Sequence, residues 1–436
     1  MGSSVMSAER LKVLLLIEQC NPDLPSVPSV GYQYFRTICE QVDATLITHE
    51  RNRDALERVA PNQTIFYISE SRLMRRYYHL VARLTIINNR VNWPLYNALA
   101  YLLYEEFNRR VYRLFQSDVR RGKYDIVHAI TPMMPRYPVK LAQACGKTPF
   151  ILGPVNGGVP FPKGFGAIAR REFSYFNFIR GLGLLLPGYR ATYQKADRVL
   201  AGSSYTFGML QKRFRLGDRL QLFYENGIPA EFFERGAKKR AGDRVHLLFV
   251  GRLVPYKGAD ILLEALAKIK PFALAKVRLT IVGDGAEREP LEMLVQRFGL
   301  QEIVEFTGWV PHQETHRYYS QADIFCFPSI REFGGAVVLE AMAAGLPCIV
   351  ADNGGIAEYM TPDTGFTIAL HSREYLVSTL AEKIQLLVED EALRSRFSQN
   401  AIAHARQFEW EHKAEQIVAL YREVLAGRQE SLPALV

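Results

Sequence analysis

Between residues 244 and 370 the chain alternates short, almost wholly apolar runs with stretches of helical period, and this alternation restricts its fold more than any other feature. HLLFVGRL, VRLTIVGDG, IVEFTGW, DIFCFPS and PCIVAD are the apolar runs; ADILLEALAKI and EREPLEMLVQRFGL are two of the helical stretches between them. A strand apolar at nearly every position is buried on both faces, and strands each followed by a helix build a parallel sheet covered on both sides. Ligands of such sheets lie beyond the carboxyl ends of the strands, where the loops gather. The first half repeats the pattern more loosely, with LKVLLLIEQ, ATLITH, TIFYIS, DIVHAI, FILGPV and RVLAGS as strand candidates. A chain of 436 residues exceeds one ordinary core, so two α/β units side by side with a cleft between them are expected. The stretch from Gly227 to Val245, GIPAEFFERGAKKRAGDRV, mixes small and charged residues without an apolar period and is the expected connector. Beyond the last strand two long helical stretches follow with no further strand, and one or both must pack on what is already built.

Composition removes several classes of function. At 48% apolar and 23% charged residues, the chain reads as a folded globular protein. Five cysteines, Cys20, Cys39, Cys145, Cys326 and Cys348, form no CxxC pair, which argues against a zinc site or disulfide framework and for a reducing, cytoplasmic setting. The opening MGSSVMSAERLKVLLLIEQ reads as a first buried strand and not as a signal peptide. No DxD triplet occurs, so a carboxylate-held metal is not expected. The net charge of +9 is unevenly spread: residues 71–123 hold eleven Lys or Arg against three acids, with Tyr77, Tyr78, Trp93, Tyr96, Tyr101 and Tyr104 among them. Apolar residues at helical spacing in that segment suit an anionic membrane surface as well as they suit helices packed on a sheet with solvated arginines outside. No run approaches the ~20 apolar residues of a spanning helix, because Arg90, Asn92 and Pro94 interrupt the longest candidate. Peripheral attachment to the inner face of a membrane is a candidate; nucleic acid is not an expected partner.

Chemistry concentrates in REFGGAVVLEAMAAG, Arg331 to Gly345. A helix opening near Gly334 turns its unpaired N–H groups and positive dipole end toward the cleft, where glycine lets an anion approach closely. Glu332 falls just ahead of that helix and Glu340 about two turns into it. Carboxylates so separated do not act as acid and base on one atom; they suit hydroxyl groups on either side of a phosphate, because ionised carboxylates are strong acceptors. In FVGRLVPYKG, Arg252 and Lys257 lie in the loop where an earlier strand ends. Two cations there suit a diphosphate leaving group, whose developing charge they neutralise. The plain alternatives are a solvated pair of glutamates and a surface arginine and lysine.

Taken in order, VGRLVPYKG, TIVGDGAERE, FTGWVP, ADIFCFPSIREFGGAVVLEAMAAGLPCIVADNGGIAEYM and FEWEHKAEQIVALYREVL resemble the retaining glycosyltransferases of family 4, with their E-x7-E signature at Glu332 and Glu340. The resemblance covers about the last two hundred residues well and the first half weakly. It implies the α/β GT-B fold: two facing Rossmann-like domains with parallel sheets and a C-terminal crossover helix. The expected division is 1–227 on the acceptor side, 228–408 on the nucleotide-sugar side and 409–436 crossing back. By position, the resemblance implies that Arg252 and Lys257 bind the donor diphosphate, Glu340 the ribose hydroxyls and Glu332 those of the donor sugar. It places the backbone of Phe333, Gly334 and Gly335 against sugar and phosphate, and Val310 beside the base. In the first half it implies His128, ending the strand DIVHAI, near the donor's anomeric centre. Gly31 falls where the family's first strand-to-helix loop has a glycine pair, and Asn156, Gly157 and Gly158 of GPVNGGVPFPKGF resemble an acceptor-side loop. Transfer then keeps the anomeric configuration, the leaving phosphate deprotonating the acceptor, with no protein nucleophile, metal or other cofactor.

The expected activity is transfer of a hexose from a nucleotide diphosphate sugar, a UDP-sugar first and a GDP-sugar next, to a glycan or lipid-linked saccharide. An NAD(P)-dependent oxidoreductase is the main rival, through the GxG of TIVGDGAERE or the GFGAIA segment. The first has Arg288 where the dinucleotide fingerprint needs a third small residue, and the second does not directly follow a strand run. A nucleotide-sugar epimerase of the same plan is a second rival. An idle scaffold is a third, though it has no reason to keep Glu332, Glu340, Arg252 and Lys257 together.

Overall fold

The structure, a computed structural model, describes residues 10–430 apart from 88–89, 135–136 and 235–243; the charged part of the expected connector lies outside the described residues. Seven strands form the first sheet: β1 (Lys12–Ile17), β2 (Asp43–His49), β3 (Thr64–Ile68), β4 (Ile126–Thr131), β5 (Phe150–Val155), β6 (Arg198–Ala201) and β7 (Leu220–Leu222). Six form the second: β8 (Val245–Val250), β9 (Val277–Val282), β10 (Val304–Gly308), β11 (Ile324–Phe327), β12 (Cys348–Asp352) and β13 (Gly365–Ala369). The orders are β3-β2-β1-β4-β5-β6-β7 and β10-β9-β8-β11-β12-β13, with every neighbouring pair parallel. The expectation of two parallel-sheet α/β domains is met. In each sheet the chain builds outward from its first strand and then returns to build the other way. The order therefore reverses between β1 and β4, and between β8 and β11, and at such a reversal the loops diverge and leave a crevice for a ligand.

Among the helices that bear on the cleft and the cores are α1 (Val27–Cys39), α2 (Arg72–Leu84), α3 (Tyr101–Arg120), α4 (His312–Tyr319), α5 (Ala336–Ala343) and α6 (Trp410–Glu430). Most of the apolar runs read as strands are buried, from Val13 to Ile17 in β1 and from Leu247 to Phe249 in β8, while the edge strands β3 and β10 are partly exposed. One face of the first sheet packs on α3 through Phe107, Val111 and Phe115. The opposite face is closed by α1 and by α6, whose Trp410, Ile417, Tyr421 and Val424 bury against Val13, Leu15, Tyr34 and Ile38. The chain thus returns from the second domain to complete the core of the first. Its return lies beside its outward path: Ile228 N donates to Phe408 O at 2.8 Å and Trp410 N to Ile228 O at 3.1 Å. Gly227 permits this crossing, since a Cβ there would lie 2.6 Å from the Trp410 ring.

Two expectations for the first half are corrected by the fold. His128 does not end a strand facing the cleft; it is the third residue of β4 and wholly buried. Its Nε2–H donates to Gly153 O at 2.6 Å, and its Nδ1 accepts from the Tyr421 hydroxyl of α6 at 2.7 Å. Burial lowers its pKa to about 4, so the ring is neutral and ties α6 to the sheet. Gly31 is not in the loop after β1 but inside α1, where a Cβ would lie 2.2 Å from Gln19 O. It serves the close packing of α1 on the segment leaving β1.

Candidate active site

At the crevice of the second sheet, the loop after β8 meets the loop after β11. Tyr256 O accepts from Ile330 N at 2.9 Å and from Ser329 Oγ at 3.2 Å, which stitches the two loops together. The stitch brings the Lys257 ammonium into an ion pair with Glu332, each side chain only 12% exposed. The same ammonium lies 5.0 Å from the centre of the Phe327 ring. Arg252 sits on the solvent side of the loop, its guanidinium donating to the Tyr256 hydroxyl at 2.8 Å. Lys257, Glu332 and Arg252 are therefore gathered around Tyr256, a residue that sequence reasoning did not single out although it stands between the two cations.

The segment ahead of α5 is not helical. Glu332 pairs with Gly354 as a parallel bridge, and Gly335 takes the left-handed φ of 54° before the helix opens at Ala336. Glu340 is consequently the fifth helical residue, just over one turn in and not two as the spacing alone suggested. The helix closes on Gly345 with the paired bonds of a glycine C-cap, Leu346 N to Ala341 O at 2.9 Å and Gly345 N to Met342 O at 3.0 Å. Glu340 is 4% exposed, a burial that a carboxylate tolerates only when hydrogen-bonded. Its Oε1 accepts from His312 Nε2 and its Oε2 from the Tyr319 hydroxyl, both at 2.8 Å. The carboxylate holds the His312 pKa above the ordinary histidine value. Both partners come from α4, which begins two residues after the partly buried Val310. His312 and Tyr319 were missed, although the His follows directly on the FTGWVP block.

The two glycines need a different reason from the one expected. A Cβ at Gly334 would lie 2.1 Å from Glu225 Oε1 and 2.3 Å from Asn226 Nδ2, while one at Gly335 would lie 2.3 Å from Ile356. Their side-chain directions are filled by protein, so they make room for the segment that links the domains and for the short helix after β12 (Gly355–Glu358). From the first domain, Asn156 Nδ2 donates to Phe333 O at 3.0 Å, and its Oδ1 accepts from Ser203 Oγ at 2.8 Å and Thr206 Oγ1 at 2.9 Å. Gly157 N donates to Thr206 Oγ1 at 3.1 Å, and Gly158 follows at the same edge of the cleft, facing Tyr205 and Met209. Further contacts span the domains: Arg171 NH2 reaches both Glu287 oxygens at 2.7 Å, Arg331 Nε reaches Val159 O at 2.8 Å, and Ser204 N reaches Glu358 Oε2 at 2.9 Å. The cleft thus joins Asn156 to Phe333, Glu332 and Lys257, and leaves His128 and Gly31 in the first core.

The glycines of TIVGDGAERE have an occupation that does not involve a dinucleotide. Side chains at Gly283 and Gly285 would lie 2.0 Å from Gly251 O and 2.4 Å from Leu253 O, so these glycines let the loop after β9 pack on the loop that carries Arg252.

Comparisons with known proteins agree with this fold. Residues 231–404 match the family model described as Glycosyl transferases group 1. The D-inositol 3-phosphate glycosyltransferase of Corynebacterium aurimucosum is 31% identical over 199 residues, 44% of this chain and 46% of that protein. The chain thus spans about half the length of this curated relative. Two solved structures share the fold over nearly all of the chain. HepE of Anabaena, in complex with UDP, has a TM-score of 0.61 at 18% identity and covers 95% of this chain and 100% of its own. Sucrose-phosphate synthase of Thermosynechococcus elongatus has a TM-score of 0.62 at 20% identity and covers 96% and 100%. The second domain thus matches the glycosyl transferases group 1 model over most of its length, and the two facing parallel-sheet domains together form a GT-B fold.

Proposed function

We propose that the chain is a retaining hexosyltransferase that uses a nucleotide diphosphate sugar, a UDP-sugar before a GDP-sugar, and a glycan or lipid-linked saccharide as acceptor. The observation that carries this reading is the Lys257–Glu332 pair, with Arg252 beside it, at the order reversal of a group 1 domain. In this reading 1–227 forms the acceptor side, 228–408 the donor side and 409–436 the crossing helix. Lys257 and Arg252 neutralise the leaving diphosphate, which takes over the ammonium that Glu332 now holds. Glu332 grips hydroxyls of the sugar. Glu340, held in place by His312 and Tyr319, has lone pairs left for the ribose. The bond from the anomeric carbon to the diphosphate breaks while the bond to the acceptor oxygen forms on the same face. The acceptor's proton passes to the departing phosphate, so neither a protein nucleophile nor a carboxylate-held metal enters. A panel of UDP-, GDP- and nicotinamide nucleotides tests the reading by thermal unfolding. A bound donor at a hundredfold excess over Kd stabilises by about 2.7 kcal/mol, a rise of several degrees. A rise with NAD(H) or NADP(H) and with none of the sugar nucleotides overturns it.

The acceptor's setting is proposed to be an anionic membrane surface, for which the first domain offers one face. On α2 Leu73 is 69% exposed, and Leu80 and Leu84 lie exposed on the same side, with Arg72, Arg76 and Arg83 exposed beside them. Ile86 and Trp93 are exposed just beyond. In α3, by contrast, Arg109 and Arg110 pair with Glu105 and Glu106 while the apolar side packs on the sheet, so that half of the basic segment is a helix on a sheet. Among the described residues no helix is long and apolar enough to cross a membrane. Each arginine at an anionic surface contributes about 1 kcal/mol. Replacing Arg72, Arg76 and Arg83 by serine is therefore expected to weaken flotation with phosphatidylserine-containing vesicles by roughly a hundredfold. Binding that ignores both the substitutions and the lipid charge ends the proposal.

A further inference from the structure

We propose that Glu225, on the segment that links the domains, contacts the donor sugar and serves there as an uncharged acid that donates a hydrogen bond. The inference rests on the donor site proposed above and extends it to a residue that precedes the matched segment 231–404.

The linking segment around Glu225 is fixed from three sides. Glu225 O accepts from the Tyr34 hydroxyl of α1 at 3.0 Å, and Tyr224 O accepts from Lys413 Nζ of α6 at 2.5 Å. Asn226 Nδ2 reaches the Tyr359 hydroxyl at 3.4 Å. With the backbone held in this way, the side chain lies in the cleft against Gly334, in the space where that residue has no Cβ. There the carboxyl is hydrogen-bonded to the side chain of Asn156, which also holds Phe333 O. Glu225 therefore stands where the first domain meets the start of α5, beside the glutamate assigned to the sugar.

The charged and titratable groups that face it come from four elements. Glu332 lies in the loop ahead of α5 and is already paired with Lys257. Lys413 comes from α6, and the Tyr34 and Tyr359 hydroxyls from α1 and from the segment after β12. Burial pushes the Glu225 carboxyl up and the charge on Glu332 adds to the push; the Asn156 bond and Lys413 oppose it, and the balance lies at about 7. Lys413, 3% exposed, is itself lowered by burial to about 7 and so does not hold Glu225 ionised as a full cation would. A neutral carboxyl has an O–H to give to a sugar hydroxyl or phosphate oxygen; an ionised one repels both Glu332 and the diphosphate. Because the bound state keeps the proton, affinity is highest below pH 7 and falls as the free protein loses the proton above it.

The experiment is calorimetric titration with UDP-glucose, whose phosphates do not titrate in the range used, on the wild type and Glu225→Gln from pH 6.5 to 8.5. The wild-type Kd is expected to rise roughly 25-fold across that range, and binding at pH 7.5 to take up a fraction of a proton when buffers of different ionisation enthalpy are compared. In Glu225→Gln, checked for native melting, Kd stays near the wild-type value at pH 6.5 and the proton uptake disappears. Equal pH slopes in the two proteins remove Glu225 from the site while leaving the donor reading intact. If the Gln variant does not fold, the wild type still decides, since binding without proton uptake overturns the proposal. Absence of UDP-glucose and GDP-glucose binding in both proteins at every pH overturns the donor site itself, and this inference with it.

Discussion

Lys257→Ala is expected to lower kcat/KM for sugar transfer by roughly a thousandfold, the scale of losing one preorganised contact to charge that develops on a leaving group. The loss should fall mainly on kcat, because the ammonium meets more charge in the transition state than in the bound donor. The substitution has a second effect that must be separated from the first. It leaves Glu332, 12% exposed, without its ion-pair partner and near Glu225, and an orphaned buried carboxylate costs about 1–3 kcal/mol. Replacing both residues, Lys257→Ala with Glu332→Ala, removes the orphan, so the double variant should regain stability in urea unfolding while its activity stays lost. Initial rates and unfolding midpoints on the four proteins of that cycle give both numbers. A single variant that turns over at a near-normal rate excludes Lys257 from the reaction.

Trp410→Ala is expected to cost about 3–5 kcal/mol, the range for deleting a large aromatic side chain from a packed interior. Trp410 is 2% exposed, stands edge-on to Tyr34 at 4.9 Å between ring centres, and fills the space that Gly227 leaves. It opens α6, and α6 closes one face of the first sheet. Its loss therefore loosens the first domain from the far end of the chain. Urea unfolding followed by tryptophan-independent far-UV circular dichroism should show the drop. A cost below about 1 kcal/mol would mean that the α6 junction contributes little to the first core.

The second domain is legible in the sequence because everything that matters there is local. Each apolar run is a strand, each loop after it emerges at the same edge, and Arg252, Lys257, Glu332 and Glu340 are all carried by such loops or the helix just beyond. Only the helix start differs from its expected place. The bridge from Glu332 to Gly354 keeps the segment extended, a pairing that the local sequence does not announce. The first domain is less legible because its core depends on a distant return. A histidine in a strand looks the same whether it ends in solvent or meets a tyrosine 293 residues later, and for His128 it is the tyrosine. Gly31 reads as a loop residue for a similar reason: the helix around it begins at Val27, earlier than its glycine suggests. Glu225 carries no signal, being a lone carboxylate in a connector, and only the folded crossing brings it to Gly334.

The return of α6 also sets an order of events at the ribosome. Val13, Leu15 and Ile17 are made before the second domain, yet only part of their cover, Tyr34, Phe35 and Ile38 of α1, is made with them; the rest runs from Trp410 to Val424. By then the whole of the second sheet, through Ala369, has been made. Of the two domains, the one made earlier is sealed later, and the part of its oily face that α6 covers stays open to water or to a chaperone until then.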